Sequence, residues 1–349
     1  MNEAKLEIKV RLYTAGTRGV SNSEGAASTV NLTKYVYCTN NCGHTLFNQM
    51  NVHYNGVLMS EQSNAYHQKA YKETLLNYNR QERDTLLDPQ SWVNEVNVQE
   101  ELTPTDATNN DEPNPGAWTG ETGLKEPTSR LLDKVHHTFM IKPHLAVFKT
   151  GKCLLPGIQI YLELFLNESN MFLFGTPDTT TSVNKKIPTL ADDDIFVTCM
   201  VKVTLNASVY ARLQIERALS KTKRVKYPVV RSEIRTFFFE GKSTRWERDN
   251  VFVGRVPDKV VIGLMNSKNC NGTLNCSCFA YEKFGVTRVR QTVEGEEYPY
   301  RALEMAGNTQ AEDLLGYKPA MILPGDWGQG KTCTLYVFNN VPGEVVDPH

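Results

Sequence analysis

The chain has 349 residues, 40% of them hydrophobic, and a formal net charge of −1 at pH 7. This length exceeds one small core and predicts two domains or one large body. With 38 Lys and Arg against 39 Asp and Glu, the chain has no overall basic field to neutralise phosphates, so specific nucleic-acid binding is not expected.

The N-terminal residues MNEAKLEIKVRLYTAG carry charge where a secretory signal needs an apolar stretch. No eighteen apolar residues follow one another anywhere in the sequence. The sequence therefore predicts a soluble protein made inside the cell, without membrane insertion. In that reducing compartment, we expect the eight cysteines to be thiols rather than a disulfide framework.

The first predicted element is a strand at 6–12, where apolar and charged residues alternate with a period of two. A β-hairpin is predicted at 50–59, because Asn55 and Gly56 readily adopt the positive φ angles of a tight turn. The clearest helix follows at 65–76, where tyrosine, alanine and leucine recur at helical spacing.

After Trp92, a segment at 94–130 is rich in acidic residues, Asn, Pro and Gly. We expect a long surface loop, which either contacts another molecule or is simply exposed. A second short helix is possible at 209–219. The basic run at 221–226 suggests nuclear import, nucleic-acid binding or a solvated connector.

Residues 227–267 join two β-rich runs through a polar segment, and the first run contains three consecutive phenylalanines. No cluster of acid, base and nucleophile interrupts it. Other strands are predicted from runs of β-branched and aromatic residues. They lie at 138–141, 159–165, 195–205, 259–264 and 335–338.

Gly325 to Thr332 fits the phosphate-loop pattern G-x-x-x-x-G-K-[ST], which suggests nucleotide hydrolysis. That loop binds phosphate only where it opens a helix, whose N-terminal amides face the ligand. Here Lys331 leads directly into a β-branched and aromatic run. We therefore expect a turn before a strand.

Two groups of soft side chains resemble metal ligands, but neither has the Cys-x2-Cys spacing of a zinc site. We expect thiols that behave as small hydrophobes, and predict no metal and no cofactor. The first group is Cys38, Cys42 and His44, and the second is Cys270, Cys276 and Cys278.

The sequence contains no serine elbow and no cysteine with a local nucleophile pattern. His144 has no acid or cysteine near it in the sequence, so we expect it at the surface or at an interface. Asp192 to Asp194 lacks the ligand spacing of a calcium loop and is expected to be solvated. The sequence predicts no catalytic residue and no enzyme.

Three segments, covering a little over a third of the chain, resemble one protein family. The first, Gly43 to Trp92, has an Asn-Gly turn, a Thr-Leu-Leu-Asn-Tyr pattern at the end of a helix, and a tryptophan. The second is Leu205 to Gly263 and the third is Tyr317 to Phe338, with Leu-Tyr-Val-Phe at its end. In these segments the chain resembles the major capsid proteins of Polinton-like and adintovirus-like double-stranded DNA viruses, which are hexon-like.

The resemblance implies an all-β fold, a double jelly roll of two tandem antiparallel β-sandwiches with one short helix and long loops. The first jelly roll would cover 1–195 and the second 196–349. Family members have further strands beyond the region matching 335–338, so the second jelly roll is expected to lack its last strands.

The resemblance also implies a structural role, in which pseudo-hexagonal homotrimers tile an icosahedral shell. The partners would be other copies of the chain, neighbouring capsomers, and a penton or minor capsid protein. The location would be the virion, after synthesis in the host cytoplasm and assembly there or in the nucleus.

Six residues then have structural roles rather than catalytic ones. The alternatives left open are a lectin-like jelly-roll binding protein, non-viral or domesticated, and a nucleotide-binding enzyme that uses 325–332. The six are Gly56 in the hairpin turn, Trp92 closing the helix region, Tyr227 and Pro228 opening the second jelly roll, and Gly254 and Gly263 flanking a strand.

Overall fold

The computed structural model describes seventeen stretches of the chain, and the structural statements that follow concern these residues alone. The loop at 94–130, the acidic run at 192–194 and the phosphate-loop pattern at 325–332 lie outside them. The described residues are 5–10, 36–60, 63–78, 86–92, 137–150, 154, 158–175, 195–200, 209–222, 226–241, 244–252, 254–273, 277–282, 284–293, 295–297, 303–304 and 335–340.

Most of the described elements are β-strands, which pair in antiparallel fashion throughout. In chain order they are β1 (Lys5–Val10), β2 (Val36–Cys38), β3 (Phe47–Tyr54), β4 (Val57–Leu58), β5 (His137–Ile141), β6 (Ile160–Leu166), β7 (Leu173–Gly175), β8 (Ile195–Met200), β9 (Lys259–Gly263), β10 (Arg288–Val289), β11 (Thr292–Val293), β12 (Glu296–Glu297), β13 (Leu303–Glu304) and β14 (Leu335–Asn339).

The structure also contains five α-helices in its described part, so the expectation of a single helix is wrong. The helix predicted at 65–76 is confirmed as α2 (Tyr66–Asn77). The possible helix at 209–219 is confirmed as α4 (Val209–Thr222), which is the longer of the two. Two 3-10 turns lie at Asp88–Gln90 and Ala146–Lys149. The helices are α1 (Cys42–Thr45), α2 (Tyr66–Asn77), α3 (Ser169–Phe172), α4 (Val209–Thr222) and α5 (Ser267–Cys270).

The first core lies between two three-stranded sheets, one ordered β5-β1-β8 and the other β4-β3-β6. Apolar and charged residues alternate along β1, so Leu6, Ile8 and Val10 point into this core while the opposite face of the strand is more exposed to solvent. Strand β8 pairs with β1 and begins at Ile195, where the sequence places the boundary between the jelly rolls.

The predicted hairpin is confirmed, with β3 and β4 joined by Asn55 and Gly56. Their φ angles are 49° and 81°, both in the left-handed region that a two-residue turn of this kind needs. Gly56 faces open space, so its role is conformational and does not depend on close packing.

Helix α2 contacts both of the larger cores. Tyr66 and Ala70 pack in the first core, while Tyr71 and Leu75 pack in the second. The second core also draws on residues far along the chain, including Phe279, whose ring stacks on Tyr71 with centroids 4.0 Å apart. One amphipathic element therefore joins two hydrophobic cores.

One predicted β-rich run does not form a strand. Residues 226–240 lie outside every described helix and strand, although the sequence pattern indicated a β-strand. Strand formation depends on a hydrogen-bonded neighbour as well as on residue type. The prediction of a β-strand in 226–240, made from residue type, is therefore wrong.

Replacing Gly263 by alanine is expected to lower the free energy of unfolding by about 1–3 kcal/mol, because the new methyl group overpacks the second core. A Cβ at this position would lie 2.5 Å from Tyr281 Cδ1 and 2.9 Å from Leu335 Cδ2. Thermal unfolding of the variant measures the loss. Gly241→Ala, at a position with open space around it, is the control; an unchanged midpoint for Gly263→Ala would contradict the packing described here.

Candidate functional site

The described titratable side chains concentrate at one buried position beside α2. We call this group the Glu73 cluster; it lies between the first core and the segment 226–240. Its members come from five separate parts of the chain: His44, Tyr66, Glu73, Thr74, Gln90, His144, Lys149 and Ser232.

The carboxylate of Glu73 accepts three hydrogen bonds. His144 Nδ1 donates to Oε2 at 2.7 Å and Lys149 Nζ donates to the same oxygen at 2.5 Å. Ser232 Oγ donates to Oε1 at 2.5 Å. Burial by itself raises the pKa of Glu73, but its bonds with His144 and Lys149 outweigh burial and hold that pKa well below its usual range.

A chain of polar contacts continues from Glu73 to the other histidine. The backbone N–H of His144 donates to Tyr66 Oη at 3.2 Å, and Tyr66 Oη lies 3.0 Å from His44 Nδ1. His44 Nε2 is 3.2 Å from Gln90 Oε1. The two imidazole rings meet edge to face, with centroids 4.9 Å apart.

Burial lowers the pKa of both histidines. For His44 burial is the largest cause, the nearby His144 lowers the pKa further, and the result lies well below the usual value. For His144 burial again dominates, while the Glu73 carboxylate opposes it. His67, the neighbour of Tyr66 on α2, is also buried, which lowers its pKa to about 4.

The Glu73 cluster holds structural elements together. In a serine hydrolase the serine bonds to the imidazole, whereas Ser232 here bonds to the carboxylate. All three donors to Glu73 come from outside α2, namely from 142–150 and 226–240. The expectation that His144 lies at a surface or an interface is wrong, since its side chain is buried against Glu73.

Of the thiols predicted to be small hydrophobes, Cys38, Cys42 and Cys278 are buried in the cores, Cys270 is partly exposed, and Cys276 lies outside the described residues. The structure brings Cys38 and Cys42 into hydrogen-bond contact, and this bond together with burial raises the pKa of Cys42 well above its usual value. Cys278 Sγ donates to the Met171 carbonyl at 3.4 Å. In the described ranges, no three His, Cys, Asp or Glu side chains are grouped so as to share a metal ion.

A second feature is an exposed surface of aromatic and arginine side chains, which we call the aromatic surface. It consists of Phe237, Phe239, Trp246 and Arg248, and Arg235 and Phe238 are exposed beside them in the chain. The Trp246 ring lies between two of the phenylalanines, with centroids 6.2 Å from Phe237 and 5.6 Å from Phe239. The Arg248 guanidinium lies 5.2 Å from the centre of the Phe237 ring.

The six residues with predicted structural roles are all described. Trp92 and Gly263 contribute to the same core, since Trp92 packs on Tyr71 with centroids 5.1 Å apart and Gly263 lies against Tyr281. Gly254 has a φ of 104° in a bend before β9. Tyr227 and Pro228 lie in the irregular segment 226–240, where Tyr227 is near Tyr54 at the end of β3.

Sequence analysis missed the Glu73 cluster because Glu73 and His144 are 71 residues apart and neither belongs to a motif. The aromatic surface did have a sequence signal. Three consecutive phenylalanines followed by Arg-Trp-Glu-Arg place aromatic and arginine residues close together in the chain, and this is the composition of protein interfaces.

Comparison with known proteins gives little further information. No family model matches the chain, and no solved structure matches it. An uncharacterised protein of Caenorhabditis elegans is 21% identical over 303 residues. The alignment covers 84% of this chain and 64% of that protein, so the chain spans just under two thirds of the relative's length.

Within the stretches that the structure describes, no helix is both long enough and apolar enough to cross a bilayer.

Proposed function

We propose that the chain is a major capsid protein of a double-stranded DNA virus or virus-like element, with a double jelly-roll fold. In this proposal three copies form a pseudo-hexagonal trimer, and trimers tile an icosahedral shell. The partners are neighbouring capsomers and a penton or minor capsid protein, and the protein works in the virion without enzymatic activity.

The observation that carries the proposal is the amount of apolar surface left exposed by a chain that has well-packed cores. Tyr161 on β6 and Val57 on β4 are each 62% exposed, and Val230 is 78% exposed. These side chains lie on two strands and on the segment 226–240, where they are available for contacts with other proteins. A shell subunit needs such contacts on several sides.

Two further features support a shell subunit over an enzyme. The most connected polar groups of the described structure, around Glu73, are bonded to one another and join elements of the fold. Helix α2 packs in two hydrophobic cores and so holds them together. A capsid subunit made of two β-domains needs such a connection, because its domains must keep a fixed geometry in the lattice.

The mass of the purified protein in solution tests the proposal. Light scattering is expected to give about three times the 39.4 kDa of one chain, and negative-stain microscopy of the same sample is expected to show hexagonal trimers or shells. Lys331→Ala is the control, because it removes the lysine of the phosphate-loop pattern and is expected to leave assembly unchanged.

A monomer at every concentration would contradict the proposal and favour a lectin-like jelly-roll binding protein. Nucleotide binding that disappears in Lys331→Ala would instead favour the enzyme using 325–332.

A further inference from the structure

We propose that Cys38 and Cys42 form a disulfide within the folded protein when it meets an oxidising solution. Both cysteines are thiols in the structure. They stay thiols in a reducing compartment, and the bond forms once the protein leaves that compartment. The inference goes beyond the proposed shell role, because it concerns a modification of one chain and holds whether or not copies assemble.

The fold brings these two thiols together. Cys38 is the last residue of β2 and Cys42 is the first residue of α1. Between them Asn41 has a φ of 57° and a ψ of 38°, a left-handed conformation that turns the chain from the strand into the helix. The two side chains are in hydrogen-bond contact, and both are buried in the first core. The two sulfurs therefore lie close to each other before any oxidation.

The turn between the two cysteines is held by hydrogen bonds to other parts of the chain. The backbone N–H of Thr39 donates to the Phe172 carbonyl at 2.8 Å, and that of Asn41 donates to the Ser91 carbonyl at 2.9 Å. A disulfide has an S–S bond of about 2.05 Å and tolerates only a narrow range of backbone separations. Because this backbone is already fixed, the bond closes by rotation of two side chains that are in contact.

A third thiol lies nearby and is the competing partner. Cys278 Sγ donates to the Met171 carbonyl at 3.4 Å, and Thr39 Oγ1 donates to the same oxygen at 3.2 Å. Cys278 is thus anchored beside the turn. We expect Cys38 to be the partner of Cys42, because these two share a hydrogen bond.

The reaction is a thiol–disulfide exchange, and the oxidant is a small organic disulfide such as oxidised glutathione. One cysteine loses its proton, and its sulfur attacks the oxidant, whose S–S bond breaks to release one glutathione thiolate. The other cysteine loses its proton, attacks the mixed disulfide and releases the second glutathione thiolate. The two thiolates take up the two protons. Two protein thiols and one oxidised glutathione thus give one protein disulfide and two reduced glutathiones.

Burial makes this reaction slow, but it does not set the final equilibrium. The hydrogen bond with Cys38 and burial raise the pKa of Cys42, and the thiolate is the species that attacks. The equilibrium depends on how closely the protein holds the two sulfurs. A fold that holds them in contact favours the disulfide over the same pair in an unfolded chain, and by linkage the disulfide stabilises the fold.

The test equilibrates the folded protein with mixtures of oxidised and reduced glutathione at mildly alkaline pH, until the products no longer change. Trypsin cleaves after Lys34 and Lys69, and peptide 35–69 then contains these two cysteines and no other. The disulfide is detected by mass as the loss of two hydrogens from this peptide, which also no longer reacts with iodoacetamide. We expect the equilibrium constant for its formation to be about tenfold or more larger in the folded protein than in urea.

Two variants accompany this measurement. Cys278→Ser is the matched control, because its hydroxyl can still donate to the Met171 carbonyl, and peptide 35–69 should oxidise as in the unsubstituted protein. Cys38→Ser removes the expected partner, so peptide 35–69 should lose its internal disulfide. The thermal unfolding midpoint of the oxidised protein should rise, and reduction should reverse this rise in the unsubstituted protein and in Cys278→Ser alike.

Three results would overturn the proposal. One is a bond from Cys42 to Cys278, which would join peptide 35–69 to peptide 269–283. Another is a peptide 35–69 that stays reduced, or only carries glutathione, at every glutathione ratio. The third is an equilibrium constant no larger in the folded protein than in urea. None of these results concerns trimer formation, so failure here is distinct from failure of the capsid proposal.

Discussion

Acidifying the protein from pH 7.5 to pH 5 is expected to lower its free energy of unfolding, with about 2 kcal/mol of the loss coming from His67. The cause is the burial of His44 and His67 as neutral rings. Burial holds the pKa of His44 well below its usual value and lowers the pKa of His67 to about 4. In the unfolded chain both regain a pKa of about 6.5.

The sign follows from proton binding. Below pH 6.5 the unfolded chain takes up protons that the folded protein excludes, so stability falls as the pH falls. His67 contributes about 2 kcal/mol at pH 5, and His44 changes the stability in the same direction. For His67 the loss continues until the pH passes its folded pKa of about 4.

The surroundings of the His44 and His67 rings differ, so a substitution can separate their contributions to the pH dependence of stability. His44 faces His144 and, beyond it, the Glu73 carboxylate, whose charge slightly favours protonation. His67 faces the Asn167 amide at 3.3 Å and the Phe279 ring, neither of which is charged. Removing His67 should therefore reduce the acid sensitivity without disturbing an ion pair.

Urea unfolding at a series of pH values measures this effect. His67→Gln is expected to reduce the loss of stability between pH 7.5 and pH 5 by about 2 kcal/mol. The same stability at pH 7.5 and pH 5 in the unsubstituted protein would show that these histidines are not buried as described.

Replacing Phe279 by alanine is expected to lower the free energy of unfolding by about 3–5 kcal/mol, because the variant loses a buried ring and leaves a cavity. Phe279 is fully buried and stacks on Tyr71 of α2 with an interplanar angle of 4°. It lies where α2 meets the later part of the chain. The loss should therefore weaken the attachment between the two cores as well as the second core itself.

Urea unfolding in dilute solution gives the free energy, and hydrogen exchange locates the damage. Phe165→Ala on β6 is the matched control: that ring is 45% exposed, and the expected loss is below about 1 kcal/mol. An equal loss for both variants, or unchanged exchange in α2, would contradict a role for Phe279 in joining the cores.

Several elements could be predicted from the sequence because their signals are local. The alternation in β1, the Asn55-Gly56 turn and the helical spacing of α2 each depend on residues within one element. The observed bounds of α2 differ from the predicted ones by one residue at each end, and the hairpin begins three residues earlier than predicted, at Phe47. Composition also predicted buried thiols, and Cys38, Cys42 and Cys278 are found in the cores.

The sequence by itself thus determined where most strands, the hairpin and the main helix form, since backbone preferences and the period of apolar residues act over a few positions. The tertiary structure alone decided that 226–240 would not pair as a strand, that His144 would be buried against Glu73, and that α2 would join two cores. Each of these depends on partners distant in the chain. Such partners are selected by the free energy of packing and of burying polar groups in the whole fold, which no local pattern records.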